Sequence, residues 1–147
     1  MSDIFCVISA IGVDYGVYSY QERLKQLIET VQSIKKYKPD AYICLMEVSD
    51  TPINNSDAHV LELLVDRICL LHEHKYIKEI LVRLDDKDTN RAARKTIGEL
   101  IGMLEFMGWL RTQPMKFDRV FKIAGRLKLN DNFLLNDYSK LEGQVAT

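Results

Sequence analysis

The residues best suited to chemistry lie where an apolar run of the chain ends in Gly125-Arg126. The run from Phe117 to Ile123 predicts a strand, and a glycine after it permits close approach of a ligand or of other backbone. The Arg126 guanidinium is planar and permanently charged, which suits it to phosphate or carboxylate. Because open α/β sheets bind ligands at the carboxyl ends of their strands, Gly125 and Arg126 are candidate binding residues.

Lys122 precedes this pair in the same strand, and together with Arg126 it could bind a diphosphate. An equally plain interpretation is that both cations form surface salt bridges, with Asp118 or Asp131 as partners. The sequence leaves these two interpretations open.

Two earlier apolar runs predict further strand ends at the same edge of the sheet. Ser9 lies near the end of the run from Ile4 to Ile11, and Glu47 and Ser49 lie at the end of the run from Ala41 to Val48. An acidic residue in such a position commonly accepts hydrogen bonds from a ribose, although a solvated strand end is the alternative for Glu47. Three loops at one edge make a stronger case for a binding site than any single motif.

Other charged residues are weaker candidates. Arg23 falls in the first turn of a predicted helix, where the helix dipole disfavours a cation, so an anionic ligand or a plain surface position would explain it. Asp86 and Asp88 could hold Mg²⁺ or Mn²⁺ with a sugar diphosphate, or they could cap a helix in a solvated charged run. Tyr18 and Tyr20, with Tyr15, could stack on a base or pack beneath their own loop.

Composition excludes several classes of protein. The 147 residues carry a formal net charge of -1, which gives no global signal for nucleic-acid binding. No apolar run is long enough to span a bilayer, and the amino terminus lacks a basic signal-peptide flank. Cys6, Cys44 and Cys69 lie in apolar segments without metal-type spacing, which predicts buried, reduced thiols and a cytoplasmic location. Phosphate-binding and nucleophile-elbow glycine motifs are absent from the sequence.

The order of predicted elements indicates an α/β fold in one domain spanning residues 1–147. Strands are predicted at 4–11, 41–48, 67–71 and 117–123. Helices are predicted at 20–37, after a cap at Ser56 or Asp57, around Ile77, through a long segment beginning near Asp88 or Thr89, and at 131–141. Alternation of strands and helices predicts a Rossmann-like three-layer sandwich with a mainly parallel sheet.

The long helix has two distinctive patterns. Gly98 and Gly102 lie four residues apart, so both should face another element at close range. Its inner face is predicted to consist of apolar residues at helical spacing, namely Ala93, Ile97, Leu100, Ile101, Leu104 and Met107.

Three stretches resemble a GT-A-type glycosyltransferase-like family met among large viruses, phages and some bacteria. The first is Tyr20-x-x-Arg23, continued by Pro39-Asp40-Ala41-Tyr42-Ile43 and Leu45-Met46-Glu47-Val48-Ser49. The second is Lys95-Thr96-Ile97-Gly98-Glu99, similar to an Asn-Lys-Ser-x-Gly-Glu element. The third is Phe121-Lys122-Ile123-Ala124-Gly125-Arg126, similar to a Phe-Lys-Ile-Ser-Gly-Arg-Tyr element. The resemblance spans most of the chain.

The resemblance implies the nucleotide-binding half of a GT-A fold and transfer of a sugar from a nucleotide diphosphate donor to an acceptor hydroxyl. Mg²⁺ or Mn²⁺ could assist this transfer. By position, Arg23, Glu47 and Ser49 would lie near the nucleotide. Glu99 would deprotonate the acceptor. Residues near the donor or its diphosphate would be Lys95, Glu99, Lys122, Gly125 and Arg126. Because an acceptor-binding half usually follows, we expect a shortened relative, or one whose site a second subunit completes.

A non-enzymatic binding or assembly module is the competing hypothesis. Such a protein would keep the Rossmann-like fold and form a homodimer through an exposed apolar surface. The candidates for that surface are apolar residues near the end of the long helix, which could equally be core: Met103, Phe106, Met107 and Trp109.

Overall fold

The computed structural model describes residues 2–13, 16–83 and 91–135. In chain order its elements are β1 (Asp3–Ser9), α1 (Tyr20–Tyr37), β2 (Tyr42–Glu47), α2 (Asn55–Leu64), β3 (Arg67–Leu70), α3 (Lys75–Arg83), α4 (Arg91–Thr112), β4 (Arg119–Ala124) and α5 (Asp131–Leu135). The strands form a parallel sheet in the order β3-β2-β1-β4. Helices flank it on both sides, which confirms the predicted α/β sandwich.

Strand β1 lies in the middle of the sheet and is buried along its whole length. Its side chains alternate between two cores. Cys6 and its neighbours on one face pack beneath α3 and α4, whereas Phe5 and Val7 pack beneath α1, α2 and α5. Burial on both faces explains why the strand reads as a continuous apolar run.

Helix α1 has the bounds that its sequence predicts. Ser19 caps it, because its hydroxyl accepts a hydrogen bond from the Glu22 amide while the Glu22 carboxylate accepts one from the Ser19 amide. Lys35 and Lys36 occupy the last turn, where the negative end of the helix dipole stabilises cations. The apolar stripe is buried as expected, at Leu24, Leu27, Val31 and Ile34.

Helix α2 begins earlier than predicted. Asn54 caps it in place of Ser56 or Asp57, because its side-chain oxygen accepts a hydrogen bond from the Ser56 amide at 2.8 Å. Asp57 instead accepts a hydrogen bond from the Tyr20 hydroxyl at 2.7 Å. The predicted third strand and the helix around Ile77 are both present, as β3 and α3. The predicted caps at Asp88 and Thr89 lie outside the described residues.

Helix α4 presents only part of the predicted face to the sheet, since Ile101 is buried and Ile97 packs against the core as predicted. Leu100, Leu104 and Met107 are 57%, 63% and 43% exposed, so the prediction that they line the inner face was wrong. Gly98 and Gly102 face the sheet instead. A β-carbon on Gly102 would lie 2.7 Å from Val48 Cγ1, so glycine there lets the helix axis approach the sheet. The close packing predicted from the glycine spacing is confirmed.

The residues suggested for a dimer surface are mostly core. Phe106 is fully buried, and Met103 and Trp109 pack against the core beneath α4. Only Met107 among the four is exposed. Trp109 also stacks on Tyr42, with ring centroids 5.9 Å apart, and lies under the Arg67 guanidinium.

The cysteines are free thiols inside the sheet. Cys6 and Cys44 are neighbours on β1 and β2 and are fully buried, whereas Cys69 is partly buried. Burial raises the pKa of Cys6 to about 12 and that of Cys44 to about 11. Both therefore stay protonated near neutral pH and behave as small apolar side chains.

Candidate functional site

The strand order reverses between β1 and β4. From β1 the chain moves through α1 to β2 and then to β3, and it returns past β1 only when it forms β4. In open parallel sheets, the crevice at such a reversal is the usual ligand position, at the carboxyl ends of the strands. Ser9 closes one flanking strand, and Gly125 follows the other.

The ends of β1 and β4 are in direct contact. The Gly125 amide donates a hydrogen bond to the Ile8 carbonyl at 2.8 Å. A β-carbon on Gly125 would lie 3.0 Å from Ser9 Cβ and 3.1 Å from Leu27 Cδ1. Glycine is needed here because the chain's own backbone and side chains approach so closely. This packing explains the glycine at position 125 without a bound ligand.

The buried carboxylate of Glu47 joins the loops that follow β1 and β2. Its oxygens accept hydrogen bonds from the Ser9 hydroxyl at 2.8 Å and from the Ile11 amide at 2.9 and 3.1 Å. The amide and the hydroxyl of Ser49 also donate to it. Glu47 is only 2% exposed, so the alternative of a solvated strand end was wrong. Its carboxylate oxygens already accept hydrogen bonds from groups of the protein, so Glu47 acts as a positioning residue for both loops.

Ser49 extends this network to the glycine of the first loop. Its hydroxyl oxygen accepts a hydrogen bond from the Gly12 amide at 2.9 Å. A β-carbon on Gly12 would lie 2.4 Å from the Thr51 carbonyl oxygen, so the two loops are packed backbone against backbone. Ser9, Glu47 and Ser49 were all predicted site residues, and the structure brings them together.

Arg94 is a residue that sequence reasoning missed. It is 4% exposed and lies near the start of α4, where Nη2 donates to the Asp50 carboxylate at 2.9 Å. This ion pair attaches α4 to the loop after β2. The available signal was a run of cations in the first turn of a helix without acidic residues, which the helix dipole disfavours. Its neighbour Lys95, a predicted site residue, is exposed.

Lys122 and Glu99 form an ion pair with each other across the space between β4 and α4. Lys122 was expected either to bind a diphosphate or to form a surface salt bridge with Asp118 or Asp131. In the structure its salt-bridge partner is Glu99 instead. Both members of the pair are partly exposed, at 43% and 34% of their side chains. A ligand phosphate would therefore compete with Glu99 for the Lys122 ammonium.

Arg126 is exposed beside Gly125, and it makes no ion pair or hydrogen bond with the residues the structure describes. The carboxylates suggested as its partners are engaged elsewhere. Asp118 accepts a hydrogen bond from the Ser2 amide at 2.8 Å, and Asp131 accepts one from the Tyr37 hydroxyl at 2.6 Å. The Arg126 guanidinium is thus available to an anion.

Arg23 has a structural task in the loop that precedes α1. Its Nη1 donates a hydrogen bond to the Val13 carbonyl, which ties the loop after β1 to the helix. Gly16 in the same loop has φ of +99° and lies against Arg23. By holding this loop against α1, Arg23 helps to set the conformation of the backbone that follows β1.

The predicted metal ligands, Asp86 and Asp88, lie outside the described residues, as does Tyr15. Within residues 2–13, 16–83 and 91–135, no group of three or more His, Cys, Asp or Glu side chains is placed to hold a metal ion. In the same residues, no helix has the length and apolar character needed to cross a membrane.

The fold and the site define a doubly wound parallel α/β domain with a hydrogen-bonded loop cluster and an exposed arginine at its strand-order reversal. Comparison with models of known families, with curated proteins and with solved structures finds no match to the chain. The likeness to GT-A-type glycosyltransferases thus stays a prediction from the three sequence stretches.

Proposed function

We propose that this protein binds a nucleotide-diphosphate sugar at the carboxyl edge of its sheet and transfers the sugar to an acceptor hydroxyl. The observation that carries the proposal is the meeting of the β1, β2 and β4 ends beside an exposed, available Arg126. The three resembling stretches support it, because each contributes residues at this edge or on the adjoining part of α4, namely Glu47 and Ser49, Lys95 and Glu99, and Gly125 and Arg126.

The roles follow from what each side chain contacts. Arg126 and Lys95 are the exposed cations that would bind the diphosphate, since a guanidinium can contact two phosphate oxygens at once. Glu47 holds the two loops in one conformation rather than binding ribose itself. The nucleotide would then rest on the backbone of the loop after β1, which Glu47 and Ser49 hold in place through the Ile11 and Gly12 amides.

The ion pair of Lys122 with Glu99 suggests how binding prepares the acceptor step. A diphosphate that draws the Lys122 ammonium toward itself releases the Glu99 carboxylate. Glu99 then accepts the proton of the acceptor hydroxyl, while Lys122 and Arg126 stabilise negative charge on the leaving diphosphate. If Asp86 and Asp88 hold Mg²⁺ or Mn²⁺, the metal supplies further charge neutralisation at that diphosphate.

Titration calorimetry tests the binding part. With UDP, GDP and their sugars, with and without Mn²⁺, one of them should bind in the micromolar range, about 8 kcal/mol. Arg126→Ala should weaken that binding by about tenfold or more, because a charge-assisted contact is lost. Arg111→Ala, at the far end of α4, is the matched control and should bind like the wild type. Equal affinity of all three proteins, or no binding by any, would contradict the proposal.

A Glu99→Gln variant tests the transfer step separately. It should bind the donor at least as tightly as the wild type does, because the Lys122 ammonium no longer pairs with a carboxylate at position 99. Its release of nucleotide diphosphate in the presence of acceptor should fall by about a hundredfold, the usual contribution of a general base. Glu105→Gln is the control on the same helix, because Glu105 pairs with His74 instead. Unchanged turnover in Glu99→Gln would remove Glu99 from this role.

A further inference from the structure

Three hydroxyl groups lie on the side of α1 that contacts the segment after β4. Thr30, Ser33 and Tyr37 follow one another at intervals of three and four residues, so they share one side of the helix. Thr30 is fully buried within the apolar stripe of α1, where a hydroxyl without a hydrogen-bond partner would be costly. A polar residue in this position therefore indicates a specific partner.

That partner is the residue that follows Arg126. The Thr30 hydroxyl lies 2.6 Å from the Leu127 carbonyl oxygen and 3.0 Å from the Gln26 carbonyl oxygen of its own helix. A hydroxyl has one proton to donate, and the shorter distance favours Leu127. A threonine inside a helix commonly bonds back to its own helix, so the shorter contact with Leu127 is a specific link between α1 and the segment after β4.

Two further contacts of α1 hold the same segment. The Ser33 hydroxyl oxygen accepts a hydrogen bond from the Leu129 amide at 2.9 Å, and the Tyr37 hydroxyl donates to the Asp131 carboxylate at 2.6 Å. The Leu127 side chain is 55% exposed, so apolar packing does not hold the chain at that residue. Its backbone is held by hydrogen bonds instead.

Arg126 lies between two such fixed points. Before it, the Gly125 amide donates to the Ile8 carbonyl at 2.8 Å, and after it, Thr30 binds the Leu127 carbonyl. We propose that Thr30 is a positioning residue for anion binding, because its hydroxyl fixes the turn that presents the Arg126 guanidinium at the carboxyl edge of the sheet. This inference rests on the proposed function, in which Arg126 binds the diphosphate of the donor.

Titration calorimetry with UDP, GDP and inorganic pyrophosphate tests the proposal. Thr30→Val keeps the shape of the side chain and removes its hydroxyl, so it should weaken the binding of these anions by about fivefold. Thr30→Ser keeps the hydroxyl and should bind about as tightly as the wild type. Thr112→Val is the matched control, because the Thr112 hydroxyl bonds to the Trp109 carbonyl of its own helix, at the far end of α4.

A double-mutant cycle with Arg126→Ala separates positioning from general structural support. Because Thr30 acts through Arg126, Thr30→Val should weaken binding by less than about twofold once the guanidinium has been removed. A loss of equal size in both backgrounds, or no loss in either, would overturn the proposal. Loss of affinity in Thr30→Ser as large as that in Thr30→Val would overturn it as well.

Amide hydrogen exchange without ligand tests the link itself. Thr30→Val should speed the exchange of the Leu127 and Leu129 amides by about fivefold, because the turn opens more readily. The Val48 amide, which donates to the Ser9 carbonyl, is the internal control and should exchange as in the wild type. Unchanged exchange at Leu127 would show that Thr30 does not hold this turn.

Ser33→Ala supplies a second variant should Thr30→Val fail to fold. It removes the acceptor of the Leu129 amide and should weaken anion binding in the same direction. If the wild type binds none of the three anions, the proposed function and this inference are both overturned. If it binds one of them and neither variant weakens that binding, only the role assigned to α1 is overturned.

Discussion

Replacing Glu47 with glutamine is expected to lower the free energy of unfolding by about 3 kcal/mol, which is about 10 °C in melting temperature for a domain of this size. The Glu47 carboxylate accepts hydrogen bonds from two backbone amides and two hydroxyls, those of Ile11, Ser49 and Ser9. A glutamine amide turns one acceptor into a donor, so at least one buried donor would face another. Urea denaturation at neutral pH measures the change.

Glu62→Gln provides the control for this substitution. Glu62 lies on α2 with its side chain 56% exposed, so the same change there should alter stability by less than about 0.5 kcal/mol. If Glu47→Gln were as stable as the wild type, the carboxylate would not be joining the two loops. The consequence would reach the proposed nucleotide site, because the conformation of those loops depends on Glu47.

Replacing Asp3 with asparagine is expected to cost about 2 kcal/mol at neutral pH, at the opposite edge of the sheet. Asp3 is buried at the start of β1, and its carboxylate accepts two hydrogen bonds from Arg119, at 2.8 and 3.0 Å, and pairs with Lys38 at 2.7 Å. Removing one partner from a buried ion pair leaves the others uncompensated. Lys38 and Arg119 remain partly exposed and regain water, which keeps the loss below the usual range for such a change.

The effect of this substitution should depend on pH. Burial by itself raises the pKa of Asp3, but the hydrogen bonds with Arg119 and Lys38 outweigh it, and the pKa is lowered from its ordinary 3.8. A lowered pKa in the folded state means that the stabilisation is present above pH 3.8 and is lost as the pH falls further through the folded value. The gap between wild type and Asp3→Asn should therefore narrow below that pH.

Urea midpoints measured at about pH 7 and about pH 3 test this dependence. Asp40→Asn, in the exposed turn before β2, serves as the control and should follow the wild type at both values. A constant gap between wild type and Asp3→Asn across the acid range would show that the Asp3 ion pairs contribute nothing to the pH dependence.

Side-chain spacing within a short segment predicted a helix or strand well where the element depends on that segment alone. The apolar spacing of α1 lies within one short stretch of chain, and the helix bounds agree with the prediction. In the structure, the capping box of Ser19 and Glu22 sets its start. The continuous apolar runs likewise predicted β1 and β2, since burial on both faces leaves no polar alternation.

Helix α4 shows where that reasoning fails. This helix has apolar residues at helical spacing on two of its sides, so the spacing alone does not show which side faces the sheet. The choice was made by Gly98 and Gly102, which allow close packing on Val48 some fifty residues earlier in the chain. Leu100 and Leu104 consequently face outward, whereas Ile101 and Phe106 are buried.

The sequence by itself determined the alternation of strands and helices, the parallel sheet and the candidate strand ends, because these depend on side-chain period and on capping within short segments. Tertiary structure alone decided that Glu47 is enclosed by donors, that Arg94 meets Asp50, that Lys122 meets Glu99 and that Arg126 remains available. The three contacts join groups that are distant in the chain, and the availability of Arg126 likewise depends on how whole elements pack.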